Sequence, residues 1–235
     1  MKKWILFLAS FALFICICFF SYLYLHRAEF CSHSLSNLFG TPVKVARVVV
    51  RKDLVELQNV SVYNQTQYVM QPALTVARIS LRVSFLDALK SLFGFSVTVR
   101  KVHVEDAKFS IEMTNAEGAE NNWVNLLSHM AQTVDATTPS RLYRIQTLTF
   151  HYVTADIRNK AVHKHAKHVR SVKKLTLTTP CKTAPSPTQS IIYWSIREVL
   201  SQIAAHQEHP QFMTSIAQIP GPQLHLNPFE INQKK

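Results

Sequence analysis

The stretch Leu74-Thr75-Val76-Ala77-Arg78-Ile79-Ser80-Leu81-Arg82-Val83-Ser84-Phe85 sets the reading of the whole chain. Leu74 and Val76, then Ile79, Leu81, Val83 and Phe85, alternate with small, polar or charged residues. Successive side chains of a strand point to opposite faces, so this alternation marks a strand with one buried face and one wet face. The pattern recurs at Val43, Val45, Val48 and Val50, at Leu57, Val60 and Val62, and at Phe95, Val97, Val99, Val102 and Val104. It recurs again at Phe109, Ile111 and Met113, and strand-like runs follow at 142–153 and 169–178. The β-branched and aromatic content suits a half-buried pleated surface. Within several runs the phase slips, as near Ala46-Arg47, which points to bulges or bends that curve a sheet. Short connections favour antiparallel pairing.

Three segments depart from this alternation. Residues 85–93 place Leu86, Leu89 and Leu92-Phe93 at helical spacing, closed by Gly94. Residues 122–134 carry Val124, Leu127 and Ala131 as an apolar stripe, with Asn121 or Asn122 as the cap. Ile192, Ile196, Val199, Leu200 and Ile203 mark an amphipathic helix ending near His206, and the Pro-rich tail after Pro210 reads as irregular. The expected class is α+β: one N-terminal transmembrane helix, then a curved, mainly antiparallel β-sheet with a few short helices.

The transmembrane expectation comes from Trp4 to Leu25, a run of 22 residues interrupted only by Ser10 and Ser21. As a helix it measures about 33 Å, enough to span a bilayer core. A cleaved signal peptide has a shorter apolar region ending in small residues, whereas this run ends in Phe19-Phe20-Ser21-Tyr22-Leu23-Tyr24. Lys2 and Lys3 flank one end, and Arg27, offset by Glu29, flanks the other. The positive-inside rule then places the N-terminus in the cytoplasm and the body across the membrane, with a single pass. Cys16 and Cys18 lie in the span, while Cys31 and Cys181 share the oxidising side without a spacing that demands a bond.

The chain is basic, with 26 Lys and Arg against 14 Asp and Glu. Such a balance attracts polyanions, and the anchor with its outward topology argues for lipid headgroups over nucleic acid. The basic residues concentrate between Arg141 and Lys182. Arg158, Lys160, Lys164, Lys167, Arg170, Lys173 and Lys174 are the candidate contacts to anionic headgroups. The bland alternative is a solvated basic surface. Four glycines in 235 residues leave no phosphate-cradling loop, and no dinucleotide fingerprint is present. His163-x-His165-x-x-His168 is crowded by lysines and lacks a carboxylate or cysteine, so no metal or other cofactor is expected. Ser171-x-x-Lys174 lacks the companion motifs of acyl enzymes, and the acidic residues form no paired-carboxylate signature. No catalytic residue is therefore assigned, and a non-enzymatic role is expected. Asn59-x-Ser61 and Asn64-x-Thr66 are sequons that matter only in a eukaryotic secretory pathway.

From Leu38-Phe39-Gly40-Thr41-Pro42-Val43 onward the chain resembles the AsmA-like family of bacterial envelope proteins. The likeness continues through Leu57-x-Asn59-Val60-x-Val62-x-Asn64 and through Ile79-x-Leu81-x-Val83-x-Phe85-Leu86-x-x-Leu89. It continues at Val102-x-Val104-Glu105-Asp106-Ala107-x-Phe109-x-Ile111, at Gly118 followed by Asn122-Trp123, and at Ile145-x-x-Leu148-x-Phe150. It covers roughly residues 1–178, on degenerate motifs whose order is more specific than any one of them. One departure is His151-Tyr152, where a turn glycine is common in the family. The resemblance implies a twisted, gutter-like β-sheet with an apolar concave face, in a bacterial inner-membrane protein with a periplasmic body, engaged in lipid transport or envelope assembly. It implies a division into an anchor at 1–30, an AsmA-like β-rich region at 31–135 and a basic β-rich region at 136–235. Val76, Ile79, Leu81, Val83, Val97 and Val99 are the candidate lipid-facing residues, and membrane lipid, with other envelope proteins, is the expected partner. Whether the apolar face is an open lipid groove or a core closed by helices stays open at this level. A closed core would make the chain an anchored assembly protein whose basic face docks a protein partner.

Overall fold

A computed structural model describes residues 14, 15, 18, 21, 22, 24–84, 97–115, 120–136, 142–160, 167–178, 186–205, 214–216 and 218–219. The strands are β1 (Val43–Arg51), β2 (Leu54–Val62), β3 (Leu74–Arg82), β4 (Val97–Met113), β5 (Leu142–Asn159), β6 (Lys167–Thr178) and the short β7 (Ser186–Pro187). The helices are α1 (Arg27–Phe39), α2 (Asn122–Ala136) and α3 (Thr188–Ala205). One sheet runs β1-β2-β3-β4-β5-β6, and β7 pairs with β5. The α+β class and the mainly antiparallel sheet are as the alternation implied. The sheet is continuous across residue 135, because β5 lies directly beside β4.

The β4–β5 pair is parallel, which corrects the antiparallel expectation at this place. A parallel neighbour requires a crossover, and the segment between these strands carries α2. The connection is thus a β-α-β unit set into an otherwise antiparallel meander. A second difference is α1, which fills the segment before the Gly40 turn. Gly40 ends it in the left-handed region at φ +65°, with its N–H donating to the Ser36 carbonyl. A Cβ there would stand 2.5 Å from the His129 ring, so α1 and α2 meet closely over a residue whose positive φ and small size favour glycine.

The phase slips seen in the sequence line up across the sheet. Ala46, Asn59, Ala77, Asp106 and Tyr152 occupy one row, and the ladder register on either side of it is unchanged from β1 to β5. All five are exposed. The adjacent row, Arg47, Gln58, Arg78, Glu105 and His151, occupies the polar positions beside it. Two successive polar rows are therefore flanked by two apolar ones: Val45-Val60-Val76-Ala107-Val153 and Val48-Leu57-Ile79-Val104-Phe150. Asn59, Asp106 and Tyr152 make the slip with φ of 51°, 52° and 58°. Asn and Asp tolerate this region, while an aromatic residue there is an outlier.

Over β4 and β5 the apolar face is covered. Phe109, Ile111, Trp123, Leu126, Leu127, Met130, Tyr193, Leu200 and Ile216 are buried in one cluster under α2 and α3, with Phe109 and Trp123 ring centroids 5.2 Å apart. Edge strand β1 is covered by α1. Ser36 and Ser32 hydroxyls accept from the Val43 and Val45 amides at 2.8 and 2.9 Å, while donating to carbonyls of their own helix. Those amides would otherwise invite another strand.

The helix expected at 85–93 lies outside the described residues, as do most of Trp4–Leu25 and Cys181. Among the described residues no helix is long and apolar enough to cross a membrane.

Two substitutions check the row. Tyr152→Gly is expected to raise stability by about 1 kcal/mol, since the exposed ring gives up little packing and the left-handed backbone suits glycine. Asp106→Val is expected to lower it by about 1–2 kcal/mol, because a β-branched residue resists φ near +52°. Urea unfolding of both proteins measures the pair, and equal stabilities would contradict the row's backbone strain.

Candidate functional site

The sheet has two ends with different chemistry. At the first, β4 extends past β3: Leu74 pairs with Phe109, and residues 110–113 have no β3 partner. Asn122 takes that place. Its amide accepts from the Glu112 N–H at 2.9 Å and donates to the Ser110 carbonyl at 2.9 Å, the two bonds a neighbouring strand would make. The same amide donates to Asn64 Oδ1 at 2.8 Å, and Trp123 Nε1 donates to the Ser110 carbonyl at 3.1 Å. Asn121 caps α2 by accepting from the Trp123 and Val124 amides.

Glu112 is fully buried at this end. Its Oε2 accepts from the Val69 and Met70 amides at 2.8 and 2.7 Å, and Lys160 Nζ lies 2.7 Å from Oε1. Lys160 also donates to the Gln67 carbonyl at 3.3 Å and stands 6.0 Å from the Tyr68 ring centroid. Burial works to raise the Glu112 pKa, and the Lys160 ammonium with the Met70 and Val69 amides outweighs it, so the carboxyl sits below its usual value. A carboxylate held in this way is a poor proton carrier. The cluster fastens the β2–β3 loop over the end of β4 and is structural.

Midway along the outer face, His103 and His151 stack with centroids 6.1 Å apart. Burial lowers the His103 pKa, the positive neighbours His151, Arg82 and Lys101 lower it further, and Glu105 opposes them. Among the described residues no three His, Cys, Asp or Glu side chains stand together to hold a metal. His163 and His165 lie outside those residues. Ser171 and Lys174 lie on β6, with the Ser171 side chain outside the described ones.

At the opposite end stand Arg51 and Lys52 of the β1–β2 turn, Arg82 closing β3, Arg100 and Lys101 on β4, and Arg144 on β5. Helix α1 runs antiparallel to β1, because Ser36 meets Val43, Ser32 meets Val45 and Arg27 donates to the Val48 carbonyl. Its N-terminus therefore points to this basic end. The hydrogen bonds His26 N–H to Tyr22 O and Phe30 N–H to His26 O, at 3.0 and 3.1 Å, carry the helix back toward Tyr22. The Arg27 guanidinium lies 3.8 Å over the Tyr24 ring, fixing how that segment leaves the sheet.

The residues singled out from sequence are divided by this geometry. Val76 and Val99 are buried in the core, while Ile79, Leu81 and Val83 are half-buried toward the basic end. The Val97 side chain is outside the described ones. Arg158 and Lys160 stand at the Glu112 end, Lys174 is exposed near the middle opposite His151, and Lys164 is outside the described residues. Lys167, Arg170 and Lys173 lie on β6 without described side chains. Lys101 and Glu112 are separated by roughly 36 Å of extended strand, far beyond the Debye length of about 8 Å at physiological salt. At that separation the two basic groups are electrostatically independent of each other. Sequence reasoning missed both the Asn122–Glu112 cluster and the terminal cations. The cations close successive strand runs at Arg51-Lys52, Arg82 and Arg100-Lys101, and only the strand directions put them at one end.

Lys160→Met should destabilise the fold by roughly 1–3 kcal/mol at pH 7, by leaving Glu112 buried without its cation. Glu112 has a lowered pKa in the folded state, so its contribution is present above the ordinary carboxylate pKa of about 4.3 and is lost as pH falls through the lowered value. Denaturation of both proteins from pH 7 to pH 2 should show the difference shrinking in acid; a constant difference would exclude the ion pair as its source. In comparisons with known proteins, no protein-family model matches the chain and no curated protein matches it.

Proposed function

We propose that this chain is a membrane-anchored, non-enzymatic envelope protein of AsmA-like type, working in lipid handling or envelope assembly. The observation that carries the reading is directional. The apolar run Trp4–Leu25 joins α1 at the end of the sheet where the apolar face of β2 and β3 is only partly covered, while Val99, Val102 and Leu148 on β4 and β5 are buried. There Val55, Leu57, Ile79, Leu81 and Val83 are only partly buried, against the closed interior beneath α2 and α3. An acyl chain leaving a bilayer at that end would meet these side chains first. The gutter-like curvature belongs to this proposal, and the aligned row of phase slips supports it.

A second reading has its own observation. Val76 and Val99 are buried in the closed core, which favours an anchored assembly protein that contacts partners from its surface.

Native mass spectrometry of the detergent-extracted protein, with lipid extraction alongside, separates the two. Lipid handling predicts stoichiometric bound lipid, reduced severalfold by Val83→Lys at a position that is only half-buried. Protein that carries no lipid would turn the reading to assembly.

A further inference from the structure

We propose that the basic end of the sheet docks on the anionic headgroups of the same membrane that holds the N-terminal segment. This rests on the anchor reading and adds to it the surface that meets the bilayer.

The first ground is like-charge pairing. Arg82 and Lys101 are direct cross-strand partners, and Arg51 stands in the same row beyond Leu54. Like charges directly opposite one another repel, so such a pair is a liability without an anion between them. Arg51, Arg82 and Lys101 are exposed, as are Lys52 and Arg100. Among the described residues none of them forms a salt bridge, and the one acid within the β1–β2 turn is the exposed Asp53. Further along the same sheet the cations do meet acids: Arg78 with Glu105 at 3.5 Å, Lys108 with Asp156 at 2.7 Å and Lys160 with Glu112 at 2.7 Å. Lys44, Arg47 and Lys174 are also exposed without an ion pair among the described residues, but they are dispersed along the sheet, whereas Arg51, Lys52, Arg82, Arg100 and Lys101 stand together at this end.

The second ground is where the chain enters. Arg27 bonds the Val48 carbonyl, three residues before Arg51, which is about 10 Å along the strand. A membrane holding the preceding apolar run would lie within a Debye length or two of Arg51 and Lys52. Tyr22, Tyr24 and Leu25 are exposed just before α1, and aromatic residues favour the headgroup level. Cations placed there gain from the negative surface potential of an anionic leaflet, and the cost of the Arg82–Lys101 pair is relieved by the same headgroups. The Glu112 end, some tens of ångströms away along β4, points into water.

The test uses the full chain in nanodiscs of phosphatidylcholine alone and of phosphatidylcholine with phosphatidylglycerol. Retention on the disc at alkaline pH reads the anchor, and amide hydrogen exchange reads the docking. The expected result is that amides at 51–54 exchange at least fivefold more slowly on the anionic discs, while those of the β2–β3 loop at 63–73 do not change. Lys52→Glu with Arg82→Glu should abolish the slowing. Both sites are exposed, and Glu at position 82 would face Lys101 as an opposite charge, so the fold is expected to hold. Retained protein with equal exchange on both discs overturns the docking and leaves the anchor standing. Slowing that survives the charge reversal also overturns the docking. Protein that washes off the discs overturns the anchor and the docking together.

Discussion

The constraint on which the sheet depends is the single row Ala46-Asn59-Ala77-Asp106-Tyr152. Strand side chains alternate strictly, so a phase change in one strand alone would set its apolar residues against its neighbours' polar ones. Here every strand from β1 to β5 changes phase at the same level, and the apolar rows on either side stay on one face. Three of the five residues do so in the left-handed region. At Tyr152 a tyrosine adopts the backbone that glycine takes easily.

Given that row, the remaining problem is where the ladder stops. At β1 the serines of α1 occupy the free amides. Past the end of β3, Asn122 occupies the groups that β4 leaves open, and Glu112 with Lys160 holds the β2–β3 loop in place above it. Both devices use short polar side chains as substitutes for backbone. The second also ties α2 to a loop distant in sequence, since Asn122 reaches Asn64 as well as Ser110. An unpaired buried amide or carbonyl costs more than such a side-chain bond gains, so these residues matter for what they prevent.

The two ends of the molecule differ in electrostatic logic. One buries a carboxylate and compensates it fully. The other leaves several cations exposed and uncompensated at the end where α1 begins. Burial with pairing yields a rigid, inert cluster, whereas exposure without pairing yields a surface awaiting a counter-charge. The proposed docking rests on that difference more than on total charge.

Period-two alternation was enough to establish a one-faced sheet, and helical spacing at Val124, Leu127 and Ala131 was enough to establish α2, because both signals are local. The positions of the phase slips were also legible in the gaps between apolar residues. Their alignment was not, because register is a relation between strands. Nor was the parallel β4–β5 pair, whose direction depends on α2 crossing the sheet instead of forming part of a turn. Glu112 occupies a polar phase between Ile111 and Met113 and reads as solvent-facing until the β2–β3 loop is folded over it. The cluster of basic residues at 141–182 looked like one surface because charge was counted along the chain. Strands about 50 Å long carry such residues to opposite ends, and screening makes those ends independent. Sequence alone determined what each strand buries; the tertiary structure decided which charges share an end, because strand direction belongs to the whole sheet.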